Sequence, residues 1–207
     1  MKKELFERYP ALSVCREAIE KAEQMLIDCY QNGGKLMLCG NGGSAADCDH
    51  IVGELMKGFL LMRPLSDEKK ADMKKNCPEI EDELLCKLQG GLPAVSLTGF
   101  NALGSAFCND VDPKYVYAQA LGAMAKKGDL LIAISTSGNA ENVAAAAKVA
   151  RALGVGVIAL TGKDGGKLAR LSDVAIIAPE NETFKIQELH LPIYHYLCAA
   201  VEKHFFG

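Results

Sequence analysis

Short apolar runs alternate with segments of helical periodicity along this sequence. Five runs consist mostly of apolar residues, at 35–39, 94–98, 130–134, 155–161 and 173–177. Helical patterns separate them, and strands that are apolar along their whole length are typical of parallel sheets covered on both faces. The pattern therefore predicts an α/β fold, a three-layer sandwich with helices on both sides of a five-stranded parallel sheet.

The segment 4–32 predicts one long amphipathic helix ahead of the first strand. Its apolar residues recur at steps of three and four, and Gly33-Gly34 ends the pattern. Four of them fall at seven-residue intervals, namely Leu5, Leu12, Ile19 and Leu26. Because this stripe is longer than one sheet face needs, we predict that residues 1–32 form an oligomerisation helix that packs against other subunits. The alternative is a helix that lies on its own subunit.

The segment 63–92 interrupts the alternation of strands and helices. It is rich in charge, with the runs Asp67–Lys70 and Glu79–Glu83, and it ends in Gly90–Pro93. We favour a solvated helical excursion, and the other interpretation is a lid or wall over a ligand site. No repeat or linker suggests a second domain, so we predict a single domain over 1–207 that contains this charged insertion.

Composition excludes several classes of function. The formal net charge of −3 gives no basic footprint for nucleic acid. The chain has 8 cysteines, some in apolar segments, with no CxxC pair and no signal sequence, which indicates reduced thiols in the cytoplasm. No apolar run approaches the ~20 residues that cross a bilayer, so we expect no membrane partner.

The turn Ser135–Asn139 follows one predicted strand and precedes a predicted helix. Free backbone N–H groups and the positive end of the helix dipole meet at such a turn, which suits a phosphate. The same hydroxyl and amide side chains also serve as ordinary helix caps.

A second turn, Gly40-Asn41-Gly42-Gly43-Ser44, follows the first predicted strand in the same way. Its glycines allow a ligand to approach the backbone closely. The chain contains neither the GxGxxG fingerprint nor a GxxxxGK[ST] phosphate loop. Two serine-bearing turns in one small domain nevertheless favour phosphate binding over capping alone.

Four polar residues on two predicted helices make a candidate site for a divalent cation such as zinc. His50 and Glu54 are four residues apart and so share a helix face. Gln187 and His195 are eight apart on the last helix, and their directions differ by about 80°. Imidazole, carboxylate and amide groups are suitable ligands. By spacing alone, His190 is an equally good candidate, and Pro192 predicts a local kink between the two.

These motifs together resemble a sugar-isomerase (SIS) domain, and most closely the bacterial phosphoheptose isomerases. The resemblance covers nearly the whole chain except 63–92. The matching motifs are Gly40–Ser44, His50 with Glu54, Ile134–Asn139, Leu160–Gly166 and Ile186–Glu188 through His195. It implies a five-stranded, flavodoxin-like sheet and a homotetramer whose active sites lie between subunits.

The resemblance also implies roles for individual residues. Glu54 is the proton-transferring base and a metal ligand, and His195 is a ligand and the complementary acid. His50 and Gln187 are the remaining Zn²⁺ ligands, one ion per active site, which leaves His190 outside the metal site. Substrate and phosphate contacts are assigned to Asn41, Gly42, Gly43, Ser44, Ser135, Thr136, Ser137, Asn139 and Gln187.

Three positions depart from the family pattern: Gly99 and Phe184 stand where Asp is usual, and Ala140 stands where Ser is common. The first two remove acceptors for sugar hydroxyls, so the reaction type is better determined than the substrate. The expected activity is an aldose–ketose isomerisation, with sedoheptulose 7-phosphate giving D-glycero-D-manno-heptose 7-phosphate by metal-assisted enediol proton transfer.

Two alternatives remain open. One is an isomerase of another phosphosugar. The other is a non-catalytic SIS protein that resembles the protein associated with the replication initiator DnaA. That relative shares the Gly-Asn-Gly-Gly-Ser-Ala-Ala motif but lacks the Glu and the final His, whereas this chain has Glu54 and His195. Their presence favours an enzyme.

Overall fold

One parallel β-sheet organises the protein. A computed structural model describes residues 2–207. The strands are β1 (Leu36–Cys39), β2 (Ala94–Ser96), β3 (Leu130–Ser135), β4 (Gly156–Thr161) and β5 (Val174–Ile177). They pair in parallel in the order β2-β1-β3-β4-β5. The predicted fold class is confirmed, with strand ends shifted by one or two residues from the predicted ones.

Helices cover both faces of the sheet. They are α1 (Lys2–Arg8), α2 (Arg16–Gln31), α3 (Gly43–Met56), α4 (Asp67–Asn76), α5 (Asp82–Lys87), α6 (Asn101–Asp110), α7 (Val116–Met124), α8 (Glu141–Ala152), α9 (Gly166–Leu171) and α10 (Thr183–Phe206). Short 3₁₀ helices span Pro10–Cys15 and Pro113–Tyr115. Helix α10 continues through Pro192.

Alternate strand residues point to two separate cores. Leu36 and Leu38 of β1 pack with α1, α2, α3 and α10. Met37 and Cys39 of the same strand pack with α7, α8 and α9. This alternation is the period of two expected of a strand, and it explains why the strand sequences are apolar throughout.

The N-terminal segment differs from its prediction in two ways. It is not one helix, because α1 ends at Arg8 and Pro10 starts a 3₁₀ helix. Proline lacks an N–H and clashes with the preceding helical turn, so it breaks the helix there. The seven-residue stripe is also buried inside its own chain, with Leu12 and Ile19 fully covered.

The interpretation of this stripe as an interface with other subunits is therefore wrong. The segment is a core layer of the subunit, as the alternative stated. The homotetramer itself stays a prediction from the family resemblance, for which the mass in solution by light scattering is the test.

The insertion forms a surface excursion that contains α4 and α5. Helix α4 buries none of its residues, and Pro64 pairs with Gln89 in an antiparallel bridge that closes the base of the excursion. Helix α4 agrees with the favoured prediction of a solvated helical segment, whereas Arg63, Leu65 and Leu85 of the insertion are buried. Nothing in its contacts tests a role as a lid.

A buried ion pair fastens the start of this excursion to the last helix. Arg63 is 1 % exposed and Glu202 is 0 % exposed, and Arg63 Nε donates to Glu202 Oε1 at 2.7 Å. The other guanidinium nitrogens donate to the carbonyl oxygens of Leu55 at 2.7 Å and Glu54 at 3.1 Å. The pair therefore joins the C-terminal end of α3 to α10.

The Glu202 carboxylate also accepts the backbone N–H groups of Phe59, Leu60 and Leu61, at 2.7, 2.7 and 3.1 Å. Burial alone would raise the pKa of Glu202, but these N–H donors and Arg63 lower it below the usual carboxyl value. The negative charge of the Glu202 carboxylate is therefore compensated by three backbone N–H groups and by Arg63, as a buried ion requires.

Among the described residues 2–207, no helix is long and apolar enough to span a membrane.

Replacing Glu202 with Gln should destabilise the fold by about 3–5 kcal/mol, because a buried Arg63 loses its counter-ion and a donor amide replaces an acceptor. Urea denaturation would measure the loss. The control is Glu83→Gln, which removes an exposed pair with Lys87 and should change stability by less than about 1 kcal/mol. Equal midpoints for wild type and Glu202→Gln would contradict the importance of the pair.

Candidate active site

Two helices, α3 and α10, carry the polar residues of the candidate metal site. Helix α3 begins directly after the first glycine-rich turn, and α10 packs across it. Asp47, His50 and Glu54 follow at steps of three and four on α3, so they share one face. His195 faces them from α10.

The structure brings His50, Glu54 and His195 together. His50 Nε2 lies 3.2 Å from Glu54 Oε1, and His195 Nε2 lies 3.4 Å from His50 Nε2. The two imidazole rings meet edge to face with centroids 4.9 Å apart. Three of the four predicted metal ligands therefore converge on one point.

Glu54 has one oxygen that the fold leaves unsatisfied. Its Oε2 atom is buried and has no hydrogen-bond partner, although Lys57 Nζ lies 3.6 Å away. The exposed Lys57 thus gives this oxygen an ion pair but no hydrogen bond, which leaves the oxygen available to a ligand or to a reacting proton. Oε1 faces His50, which gives the two oxygens different surroundings.

The charge state of His195 is also set by its surroundings. Burial lowers the pKa of His195, the neighbouring His50 lowers it further, and Glu54 raises it in part. The net direction is downward from an ordinary value of about 6.5, so His195 is neutral at neutral pH.

The donor atoms suit a divalent cation, although the site is not complete as it stands. Within residues 2–207 no group of three or more His, Cys, Asp and Glu side chains is arranged to hold a metal ion by itself. The separations of 3.2 and 3.4 Å are nevertheless close to the ~3.3 Å between two ligands of a tetrahedral zinc with bonds of about 2.0–2.1 Å. The unpaired Glu54 oxygen adds to this fit.

Gln187 is a residue of α10, and its side chain lies beside the start of α3. A Cβ atom added to Gly43 would collide with Nε2 of Gln187, so the glycine makes room for this amide. Gln187 thus sits beside the turn Gly40–Ser44, and its role as a metal ligand stays a prediction.

His190 points away from the other polar residues. It is fully buried, and its Nε2 hydrogen-bonds the carbonyl oxygen of Thr161 at 3.0 Å. Burial lowers the pKa of His190 to about 4, so it is neutral and donates this bond. Spacing alone could not show which of His190 and His195 faces the other polar residues. The hydrogen bond of His190 to Thr161 in β4 shows that His190 does not.

Tyr194 and Asp47 contact the site, and sequence reasoning missed both. Tyr194 Oη donates to Asp47 Oδ1 at 3.2 Å and lies 3.0 Å from His50 Nδ1. Burial raises the pKa of Asp47, while the Tyr194 bond and His50 lower it in part. The only sequence signal was the three-residue step from Asp47 to His50.

The two serine-bearing turns lie next to each other because β1 and β3 are neighbouring parallel strands. Asn41 and Asn142 exchange two amide hydrogen bonds, each of 2.9 Å, across the gap between the turns. Tyr117 Oη donates to Gly40 O at 2.7 Å and to Asn41 Oδ1 at 3.1 Å. The Asn41 amide, predicted to hold phosphate, is thus engaged in joining the turns.

The turn Ser135–Asn139 is held in a tight conformation. Gly138 has φ +63°, and an added Cβ would collide with Gly165 O. Asn139 bridges to the next turn, since its Nδ2 donates to Ser137 O at 2.9 Å and its Oδ1 accepts from Lys167 N at 3.2 Å. Ser137 Oγ accepts from Asn139 N at 3.2 Å.

The predicted phosphate ligands differ in exposure. Ser44 and Ser135 are buried, Thr136 and Ser137 are half-buried, and Gly42 and Gly43 are exposed. Asn41 and Asn139 are exposed as well, so these two amides, the half-buried Thr136 and Ser137, and the glycine backbone form the accessible surface of the turns.

A groove of about 450 Å³ opens on the other side of His195. Its walls include Arg8 and Tyr9 near the end of α1, Phe59 from the loop after α3, and Leu191 of α10. None of the residues of the two turns lines it. His195 thus contributes to this groove as well as to the cluster with His50 and Glu54.

Comparison with known proteins places this arrangement in a family. Two models of the SIS domain family match residues 102–199 and 11–82. The chain is 40% identical over 89% of its length to a phosphoheptose isomerase of Helicobacter hepaticus, of which the match covers 81%. It is 38% identical over 92% of its length to a phosphoheptose isomerase of Aliarcobacter butzleri, of which the match covers 87%.

Solved structures agree. The phosphoheptose isomerase of Neisseria gonorrhoeae superposes with a TM-score of 0.76 at 32% identity, covering 97% of this chain and 94% of that one. The enzyme of Francisella tularensis gives a TM-score of 0.78 at 30% identity, covering 95% and 91%. The chain belongs to the phosphoheptose isomerase family of SIS-domain proteins.

Proposed function

We propose that this protein, a phosphosugar isomerase by family, interconverts sedoheptulose 7-phosphate and D-glycero-D-manno-heptose 7-phosphate. The relatives named above support the substrate class. The observation that carries the chemistry is the Glu54 carboxylate, whose Oε1 lies 3.2 Å from the His50 imidazole while its buried Oε2 has no hydrogen-bond partner.

The placement of the site along α3 suits a substrate with phosphate at one end and the reacting carbons at the other. With a rise of 1.5 Å per residue, His50 lies about 10 Å and Glu54 about 16 Å along the helix from Gly43. A phosphate at the turns would therefore lie at the opposite end of α3 from Glu54.

Glu54 is the proton carrier in this proposal. Its Oε2 atom removes the proton from the carbon next to the carbonyl and returns it to the neighbouring carbon. Because that oxygen has no hydrogen-bond partner in the fold, no internal bond has to break before it accepts the proton.

His195 handles the proton on oxygen. A neutral imidazole can accept a proton from the hydroxyl oxygen and supply one to the carbonyl oxygen, and the lowered pKa of His195 keeps it in that form. Its ring lies against His50 and Phe59, which restrict its orientation.

Zn²⁺ fits the donor set, with His50, Glu54, His195 and the amide oxygen of Gln187 as the residues that would hold it. When bound, such an ion polarises the carbonyl and stabilises negative charge on its oxygen.

The phosphate group would bind the two turns at the C-terminal ends of β1 and β3. Free N–H groups at the start of α3 and α8, together with the hydroxyls of Thr136 and Ser137, would provide its hydrogen bonds. The Asn41–Asn142 pair keeps the two turns at a fixed separation.

A homotetramer with shared active sites and a cytoplasmic location complete the proposal. The five buried cysteines support a reducing compartment, since burial raises the pKa of Cys39 to about 12 and keeps that thiol unreactive.

A turnover assay of the purified protein on a panel of ketose phosphates, with and without zinc, would test the substrate. Turnover of a different phosphosugar, or none at all, would favour one of the two alternatives stated at the outset.

Glu54→Gln should retain the fold and lower turnover by about 10²–10⁴-fold, because the amide cannot carry the proton. Glu68→Gln, an exposed carboxylate on α4, is the control and should keep full activity. Circular dichroism would verify folding. A Glu54→Gln enzyme with wild-type kcat would exclude the proposed base.

Ser137→Ala should weaken binding of sugar phosphate and inorganic phosphate alike, by about 1.5–3 kcal/mol for a lost hydrogen bond to a charged group. Ser172→Ala is the matched control. Ser172 Oγ donates to Ala169 O at the end of α9, before β5 begins and away from the turns that follow β1 and β3. Isothermal titration would measure both ligands. Unchanged affinities would place the phosphate elsewhere.

Zinc should bind at about one ion per chain, and elemental analysis after reconstitution would count it. Chelation should abolish turnover, and added zinc should restore it, since the ion neutralises the charge that develops on the substrate oxygen. Full activity in a chelated, metal-free sample would rule out the zinc assignment.

A further inference from the structure

We propose that Tyr194 and Asp47 are positioning residues that fix which nitrogen of His50 carries the proton. The inference rests on the proposed function, in which His50 holds a metal ion through Nε2. It assigns a role to two residues that touch neither substrate nor metal.

Tyr194 stands between the other two side chains. It is 2 % exposed on α10, and its hydroxyl lies 3.2 Å from Asp47 Oδ1 and 3.0 Å from His50 Nδ1. Its ring meets the His50 ring edge to face, with centroids 5.4 Å apart. Asp47 and His50 belong to α3, so the tyrosine bridges both residues from the opposing helix.

The hydrogen-bonding capacities of the three groups determine the proton positions. An ionised carboxylate only accepts, so the single Tyr194 proton goes to Asp47. The tyrosine oxygen is then free to accept, and Nδ1 of His50 must be the donor. In a neutral imidazole the other nitrogen, Nε2, then has a free lone pair.

That lone pair faces Glu54 Oε1 at 3.2 Å and His195 Nε2 at 3.4 Å. With the proton held on Nδ1, Nε2 does not donate to the Glu54 carboxylate and stays free for a cation. The bridge through Tyr194 thus prepares His50 to bind a cation together with Glu54. In histidine ligands the nitrogen away from the metal commonly donates to such a partner, which sets the tautomer and the ring angle.

The unpaired second oxygen of Asp47 is consistent with this role. Oδ2 of Asp47 is buried without a hydrogen-bond partner. A carboxylate kept in such a position by the fold, with Oδ1 aimed at Tyr194, is a strong acceptor for the tyrosine proton. The carboxylate therefore fixes the direction of the whole chain of bonds.

Tyr194→Phe tests the inference because it removes only the hydroxyl and keeps the buried ring. Tyr196→Phe is the matched control, a buried tyrosine two residues on whose hydroxyl donates to Glu23 at 2.6 Å. In chelator competition with zinc alone as the probe, Tyr194→Phe should bind about 10–100-fold more weakly than wild type. Tyr196→Phe should match wild type.

Asp47→Asn should also weaken zinc binding, but by less, since an amide oxygen still accepts from Tyr194. The double variant Tyr194→Phe with Asp47→Asn should be no worse than Tyr194→Phe alone, because both residues act through one hydroxyl. Fully additive losses would overturn the proposed chain of bonds.

Nitrogen-15 NMR of the histidine side chains reads the tautomer directly, and with only 4 histidines in the chain the spectrum can be assigned. In metal-free protein at about pH 8, where imidazole is neutral, His50 should carry its proton on Nδ1. In Tyr194→Phe this preference should be lost.

The two readouts separate the failure of this inference from failure of the proposed function. If wild type binds no zinc, the metal assignment fails. The tautomer of His50 measured by NMR then tests the positioning role alone. An Nε2–H tautomer in wild type, or the same Nδ1–H tautomer in Tyr194→Phe, would overturn the positioning role.

Discussion

The buried ion pair of Arg63 and Glu202 is the constraint on which the geometry of the site depends. Glu54 lies in the last turn of α3, where a helix has unsatisfied carbonyl groups, and Arg63 takes up two of them. Glu202 holds the guanidinium and the loop after α3 from α10, the helix that also carries His195. The ion pair thus acts together with the apolar packing of α3 on α10 to hold the helices that carry the polar side chains.

A second set of contacts fixes the other end of the site. The reciprocal amides of Asn41 and Asn142 keep two turns of the sheet edge together, and α3 starts from one of them. The site is thus divided between a sheet edge, which offers N–H groups, and a helix pair, which offers titratable side chains. One continuous helix, α3, connects both ends.

Local patterns predicted much of this from sequence, and long-range contacts were the part that could not be predicted. Apolar runs gave the strands, and the four-residue step gave His50 and Glu54, because each depends on a few neighbouring residues. Tyr194 is 144 residues from His50, and Arg63 is 139 from Glu202, so no spacing rule relates them. The stripe from Leu5 to Leu26 misled because periodicity shows that a face is buried without showing what covers it.

The close approach of Gly138 and Gly166 has a consequence for how the sequence can vary. The two backbones touch where neither residue has a side chain, and both glycines have positive φ. A substitution at one would push the other turn away, even if the new residue tolerated its own conformation. The turn Ser135–Asn139 and the loop after β4 are therefore constrained together, so any descendant of this sequence that alters one glycine has to rebuild the opposite loop as well.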